Sequence, residues 1–189
     1  MSNFNSQKII APIMRFVNLK GIISRKDGML AILPLTVVGS LFLIIGQLPF
    51  EGLNQAIASV FGDTWTEPFM QVYSGTFAIM GLISCFSIGY SYAKNSGVEP
   101  LPAGVLSLSS YFILLKSSYV PAKGEPIGDA IAKVWFGGQG IIGAIIIGLV
   151  VGAIYTVFIQ RHIVIKMTEQ VPQAIAKHFE AMITAFVIF

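Results

Sequence analysis

The chain has 189 residues, 54% hydrophobic and 11% charged, with a mean hydropathy of +0.77 and a formal net charge of +3. Average soluble domains carry roughly 25% charge, and a small globule leaves too much surface wet to hide so apolar a composition. That excludes an ordinary soluble domain, and without a long basic run the chain is no nucleic-acid binder; the expected class is an all-α integral membrane protein.

Residues 1–27 read as a basic leader. KIIAPIMRFVNLKGII, residues 8–23, places Ile10, Ile13, Met14 and Val17 at helical spacing. Such a helix lies in the membrane interface, unless it packs on the protein itself. Lys8, Arg15, Lys20, Arg25 and Lys26 are the expected interface residues. Their spread is unlike the compact basic region of a signal peptide, so the leader is expected to stay.

Apolar runs follow at 28–49, 72–93, 101–120 and 141–160, and a fifth begins at Phe179. The first is charge-free and reaches about 33 Å as a helix, enough for a hydrocarbon core of about 30 Å. Pro34 should kink it. The third is weaker, with Lys116 placed to snorkel. The fifth has room for about 16 Å of helix before Phe189, so it is expected to be an incomplete span. The expected fold is an amphipathic leader, four complete transmembrane helices and a truncated fifth.

Positive charge orients these runs. The leader is basic, and the first connection, 50–71, carries Glu51, Asp63 and Glu67 without Lys or Arg. Lys94 follows the second span, and Arg161, Lys166 and Lys177 follow the fourth. Lys116, Lys123 and Lys133 argue the other way. The balance places the N-terminus in the cytoplasm.

FGGQGIIG, residues 136–143, lacks the Gly-Lys-Ser/Thr ending of a phosphate loop. A packing role fits better. Gly140, Ala144, Gly148, Gly152 and Thr156 recur every four residues and draw a small-residue ridge along the fourth span. Such ridges let membrane helices approach closely. Cys85 lies within an apolar run and reads as a small packing residue. His162, His178 and Glu180 sit near span ends, without ligands at metal spacing. The first four apolar cores hold no Asp, Glu, His or Arg. Proton relays and intramembrane catalysis draw on such groups. No catalytic or substrate-binding residue, metal or cofactor is therefore expected.

RKDGMLAILPLTVVGSLFLII, FAIMGLISCFSIGYSYAKNSGVEPLPAGVLSLSSYFILL and VPQAIAKHFEAMI, in that order, resemble the membrane component EIIC of bacterial sugar phosphotransferase systems. The resemblance is to the lactose, cellobiose and diacetylchitobiose branch. Thr184 stands where that family commonly has Pro. The resemblance implies a bacterial multi-pass membrane permease, a homodimer formed by an N-terminal half of five spans, and a C-terminal half that binds the disaccharide. It also implies cytoplasmic EIIB and EIIA as phosphoryl-transfer partners. Residues 28–189 would be the scaffold and dimer-interface half, not expected to transport alone. Two other classes stay open: a small membrane protein that binds or regulates a full-length transporter, and an intramembrane enzyme, for which the spans offer no polar cluster.

Overall fold

A computed structural model describes residues 20–119, 127–128, 130–163 and 173–189, without the side chains of Tyr119 and of residues 173–180. Lys8, Arg15 and most of the expected leader helix lie outside the described residues. The helices are α1 (Lys20–Ala31), α2 (Leu33–Gly46), α3 (Glu51–Phe61), α4 (Glu67–Gly75), α5 (Met80–Asn95), α6 (Pro100–Leu114), α7 (Ile141–Gln160) and α8 (Gln173–Ile188). A short antiparallel pair, β1 (Ser118–Tyr119) with β2 (Ile127–Gly128), and the 3-10 turns Lys133–Phe136 and Gly138–Gly140 connect α6 to α7.

The first apolar run is not one straight helix from residue 28. It begins at Lys20 and bends by 42° between α1 and α2. Pro34 lies in the first turn of α2 and has no N–H to offer the Leu30 carbonyl, so the helical ladder breaks there. The connection 50–71 contains α3 and the start of α4, and α4 runs through the 3-10 turn Phe77–Ile79 into α5. The third run ends as a helix at Leu114, where Leu115 turns extended. The fourth spans Ile141–Gln160. The last helix starts at Gln173, before the apolar run does.

Among the described residues, Glu67–Asn95 and Gly138–Gln160 are long and apolar enough to cross a bilayer, and α1–α2 makes a third if the bent pair is one span. Pro100–Leu114 is apolar but shorter.

Helix α5 is the centre of the bundle, packed against α1, α6 and α7. The side of α7 that carries Ala144, Gly148, Val151, Gly152, Tyr155 and Thr156 is buried. Ile142, Ile146, Val150 and Val157 on its other side are exposed. Small residues inside and branched aliphatics outside invert the soluble pattern, because hydrocarbon solvates large apolar groups while helix contact rewards close approach. Buried serines of α5 and α6 bond their own helix: Ser84 Oγ donates to the Met80 carbonyl at 2.6 Å and Ser107 Oγ to the Ala103 carbonyl at 2.8 Å. That keeps them paired without water. Helix α8 closes the far side, with Ala181 in one cluster with Ala93, Ala103, Leu106, Val151 and Tyr155.

Candidate functional site

The small-residue seam of α5 is the best-defined site. A Cβ on Gly148 would stand 2.8 Å from the Cys85 carbonyl oxygen and 3.0 Å from Ile88 Cβ. One on Gly152 would stand 2.8 Å from Tyr92 Cβ. From the other side, a Cβ on Gly28 would meet Ile88 Cα at 2.7 Å. Ile88 is thus clamped between α1 and α7 and is fully buried. A Cβ on Gly89 would come closer still to the Ser107 hydroxyl of α6. Cys85 Sγ donates to the Ser107 carbonyl at 3.2 Å and is fully buried.

The five ridge residues are all buried. Ala144, Gly148, Gly152 and Thr156 lie on the buried side of α7. Gly140 belongs to the 3-10 turn before it and faces the Trp135 carbonyl and the Tyr111 hydroxyl. The Thr156 hydroxyl is buried and, among the described residues, has no hydrogen-bond partner.

Polar contacts fasten the two ends of the seam. At one end, Asn95 Nδ2 donates to Asp27 Oδ2 at 3.0 Å, and Gln160 Nε2 donates to the Ser96 carbonyl at 3.0 Å. There α5 and α7 stop in the same way. Gly97 and His162 take left-handed φ values of 75° and 55°. Val98 N–H then bonds the Ala93 carbonyl, and Ile163 N–H bonds the Phe158 carbonyl. Both are Schellman stops, which satisfy carbonyls that a helix end leaves free. At the other end, the Tyr111 hydroxyl lies 2.5 Å from the Trp135 carbonyl and 3.1 Å from that of Gly140. Lys133 bonds Ser74 beside it.

Lys20, Arg25 and Lys26 project from α1 as exposed cations. Lys26 reaches Asp27 at 3.7 Å. No group of three or more His, Cys, Asp or Glu that could hold a metal occurs among the described residues. Helices with interlocked small faces and fastened ends can hold a rigid frame. Sequence reading missed Gly28 and Gly89 as close-approach positions, although Gly89 belongs to a four-residue series, Gly81, Cys85, Gly89 and Ala93, that is buried along α5 and could have revealed it. It also missed the Asp27–Asn95 contact, whose partners are far apart in the chain and leave no local signal.

The description "Phosphotransferase system, EIIC" matches residues 26–189. The chain belongs to the EIIC family of the phosphotransferase system. This EIIC chain is 36% identical over 188 residues to the lichenan permease IIC component of Bacillus subtilis (strain 168), covering 96% of this chain and 41% of that protein. It is 37% identical over 164 residues to the cellobiose-specific EIIC component of Geobacillus stearothermophilus, covering 84% and 36%. The crystal structure of the transporter ChbC, the IIC component from the N,N'-diacetylchitobiose-specific phosphotransferase system, superposes with a TM-score of 0.88 at 31% identity. That match covers 98% of this EIIC chain and 44% of ChbC. The chain therefore spans less than half the length of the relatives it matches.

Proposed function

We propose that these residues are the scaffold half of a phosphotransferase-system permease for a β-linked disaccharide, and that they do not transport sugar alone. The carrying observation is the match that covers nearly all of this chain and 44% of ChbC. In this reading, sugar recognition and the chemistry of phosphoryl acceptance belong to the length of the relatives that this chain does not span. The seam around Ile88 supplies a rigid wall against which that part moves. The absence of Asp, Glu, His and Arg from the first four apolar cores supports a frame over a proton or ion pathway.

The sugar class is supported by the names of the relatives: lichenan, cellobiose and N,N'-diacetylchitobiose permease components. Cytoplasmic EIIB and EIIA are the proposed partners. In the lactose-specific EIICB component of Lacticaseibacillus casei, 26% identical to this chain, the printed name joins the C and B components. The proposed setting is a bacterial cell membrane crossed several times, with the N-terminus cytoplasmic and two copies paired as a homodimer.

The test is uptake of radiolabelled cellobiose in cells that lack their own EIIC but keep EIIA and EIIB. The chain alone should give background uptake. Co-expression with the remaining length of the cellobiose-specific relative, as a second polypeptide, should raise uptake above that of either piece. Uptake by the chain alone would sink the scaffold reading. Stimulation of an intact permease without such complementation would favour a regulatory subunit instead.

A further inference from the structure

The bend between α1 and α2 opens a surface groove of about 730 Å³ against the starts of α5 and α7. Its long wall runs along Arg25, Met29, Leu33 and Thr36, and its floor includes Met80 and Ile141. From Arg25 to Thr36 the backbone rises about 16 Å, roughly half of a hydrocarbon core of about 30 Å and so the depth of one leaflet. The groove is polarised. Arg25 and Lys26 line its α1 end, and the rest of its lining is apolar except for Thr36. The Thr36 hydroxyl bonds the Leu33 carbonyl.

The charge at the head of the groove is positive. Asp27 follows Arg25 and Lys26 in α1, but it accepts the Asn95 amide on the α5 side and lies 3.7 Å from Lys26. An exposed pair of that kind is weak. Among the described residues Arg25 has no ion pair. A guanidinium binds a phosphate through two parallel N–H bonds, and basic pockets beside transmembrane helices take anionic headgroups.

We infer that this elbow is a binding site for an anionic phospholipid, with one acyl chain in the groove and the phosphate on Arg25 and Lys26. A leaflet-deep apolar slot with cations at one end only matches an amphipathic anion. A second helix with an all-apolar face would leave the guanidinium without an acid.

The test is native mass spectrometry of the full chain released from nanodiscs of equimolar phosphatidylglycerol and phosphatidylcholine. The wild type should retain phosphatidylglycerol in preference, and Arg25→Gln should lower that preference about fivefold, the weight of one basic residue at a membrane surface. Lys94→Gln, an exposed lysine at the same end but off the groove, should leave it unchanged. Leu33→Trp, which fills the slot, should lower retention of both lipids. Soluble glycerol phosphate should not displace the bound lipid, whereas short-chain phosphatidylglycerol should. Equal retention of the two lipids by the wild type, or an equal loss in Lys94→Gln, would overturn the site. Displacement by glycerol phosphate alone would make it a free-phosphate site and overturn the lipid reading, whether or not Arg25→Gln folds.

Discussion

His162 holds a φ of 55°, a left-handed conformation that costs an L-residue with a Cβ roughly 1–2 kcal/mol. Gly97 occupies the equivalent place at the end of α5 without that cost. His162→Gly should therefore raise the thermal midpoint of the purified chain, by about 0.5–1 kcal/mol after the greater chain entropy of unfolded glycine is counted. A fall would show that the imidazole holds the turn through contacts of its own. Thr156 offers a contrasting case, since its buried hydroxyl has no partner among the described residues. Thr156→Val should be neutral or stabilising, because it removes a desolvated group without opening a cavity. A loss above about 1 kcal/mol would mean that the hydroxyl is hydrogen-bonded after all. Gly148→Val should behave in the opposite way. Its Cβ would fall 2.8 Å from the Cys85 carbonyl oxygen, which is backbone and cannot swing aside. A loss of at least about 1–3 kcal/mol, read as a lower unfolding midpoint, is expected.

Breaks between helices follow from backbone chemistry more than from hydropathy. Pro34→Ala restores the missing N–H and lets it reach the Leu30 carbonyl, so amide exchange over residues 32–36 should slow as α1 and α2 join. Unchanged exchange would assign the 42° bend to packing on α5 instead of to Pro34. This also shows what the sequence could reveal. The run 141–160 was legible to the residue because it is long, apolar and free of proline, and it folds as Ile141–Gln160. The bend at Pro34 was legible too, since a proline kink is local. The start at Lys20 was not, because a helix needs paired backbone groups and does not stop where apolarity stops. The same limit hid α3, whose sequence EGLNQAIASVF has no buried residue. It also extended the third run past Leu114, where Leu115 leaves the helix with ψ at 138°. The small ridge on α7 was readable as a pattern. Its partner surface at Cys85, Ile88 and Tyr92 was not, because sequence spacing within one helix says nothing about which neighbour fills it.

The contacts that fasten the bundle also sort its ends. Asn95 with Asp27, and Gln160 with Ser96, bring α1 and the last turns of α5 and α7 to one end. Lys20, Arg25, Lys26, Lys94 and Arg161 therefore gather there. The Tyr111 contacts to Trp135 and Gly140 define the opposite end, where Lys116 and Lys133 also lie. Lysine and arginine near span ends set orientation, while acids weigh little, so the first end should be cytoplasmic by the larger number of cations. The margin is small enough to need measurement. In a Cys85→Ser background, a membrane-impermeant maleimide applied to intact cells should label Glu51→Cys, which lies in the expected external connection. Lys94→Cys should label only after permeabilisation. The introduced hydroxyl would keep a donor for the Ser107 carbonyl that the Cys85 thiol now bonds at 3.2 Å, so the background variant should fold. The reverse labelling pattern would place the α1 end outside. The Arg25 groove would then open to the outer leaflet, and the Lys94 face could not meet a cytoplasmic partner.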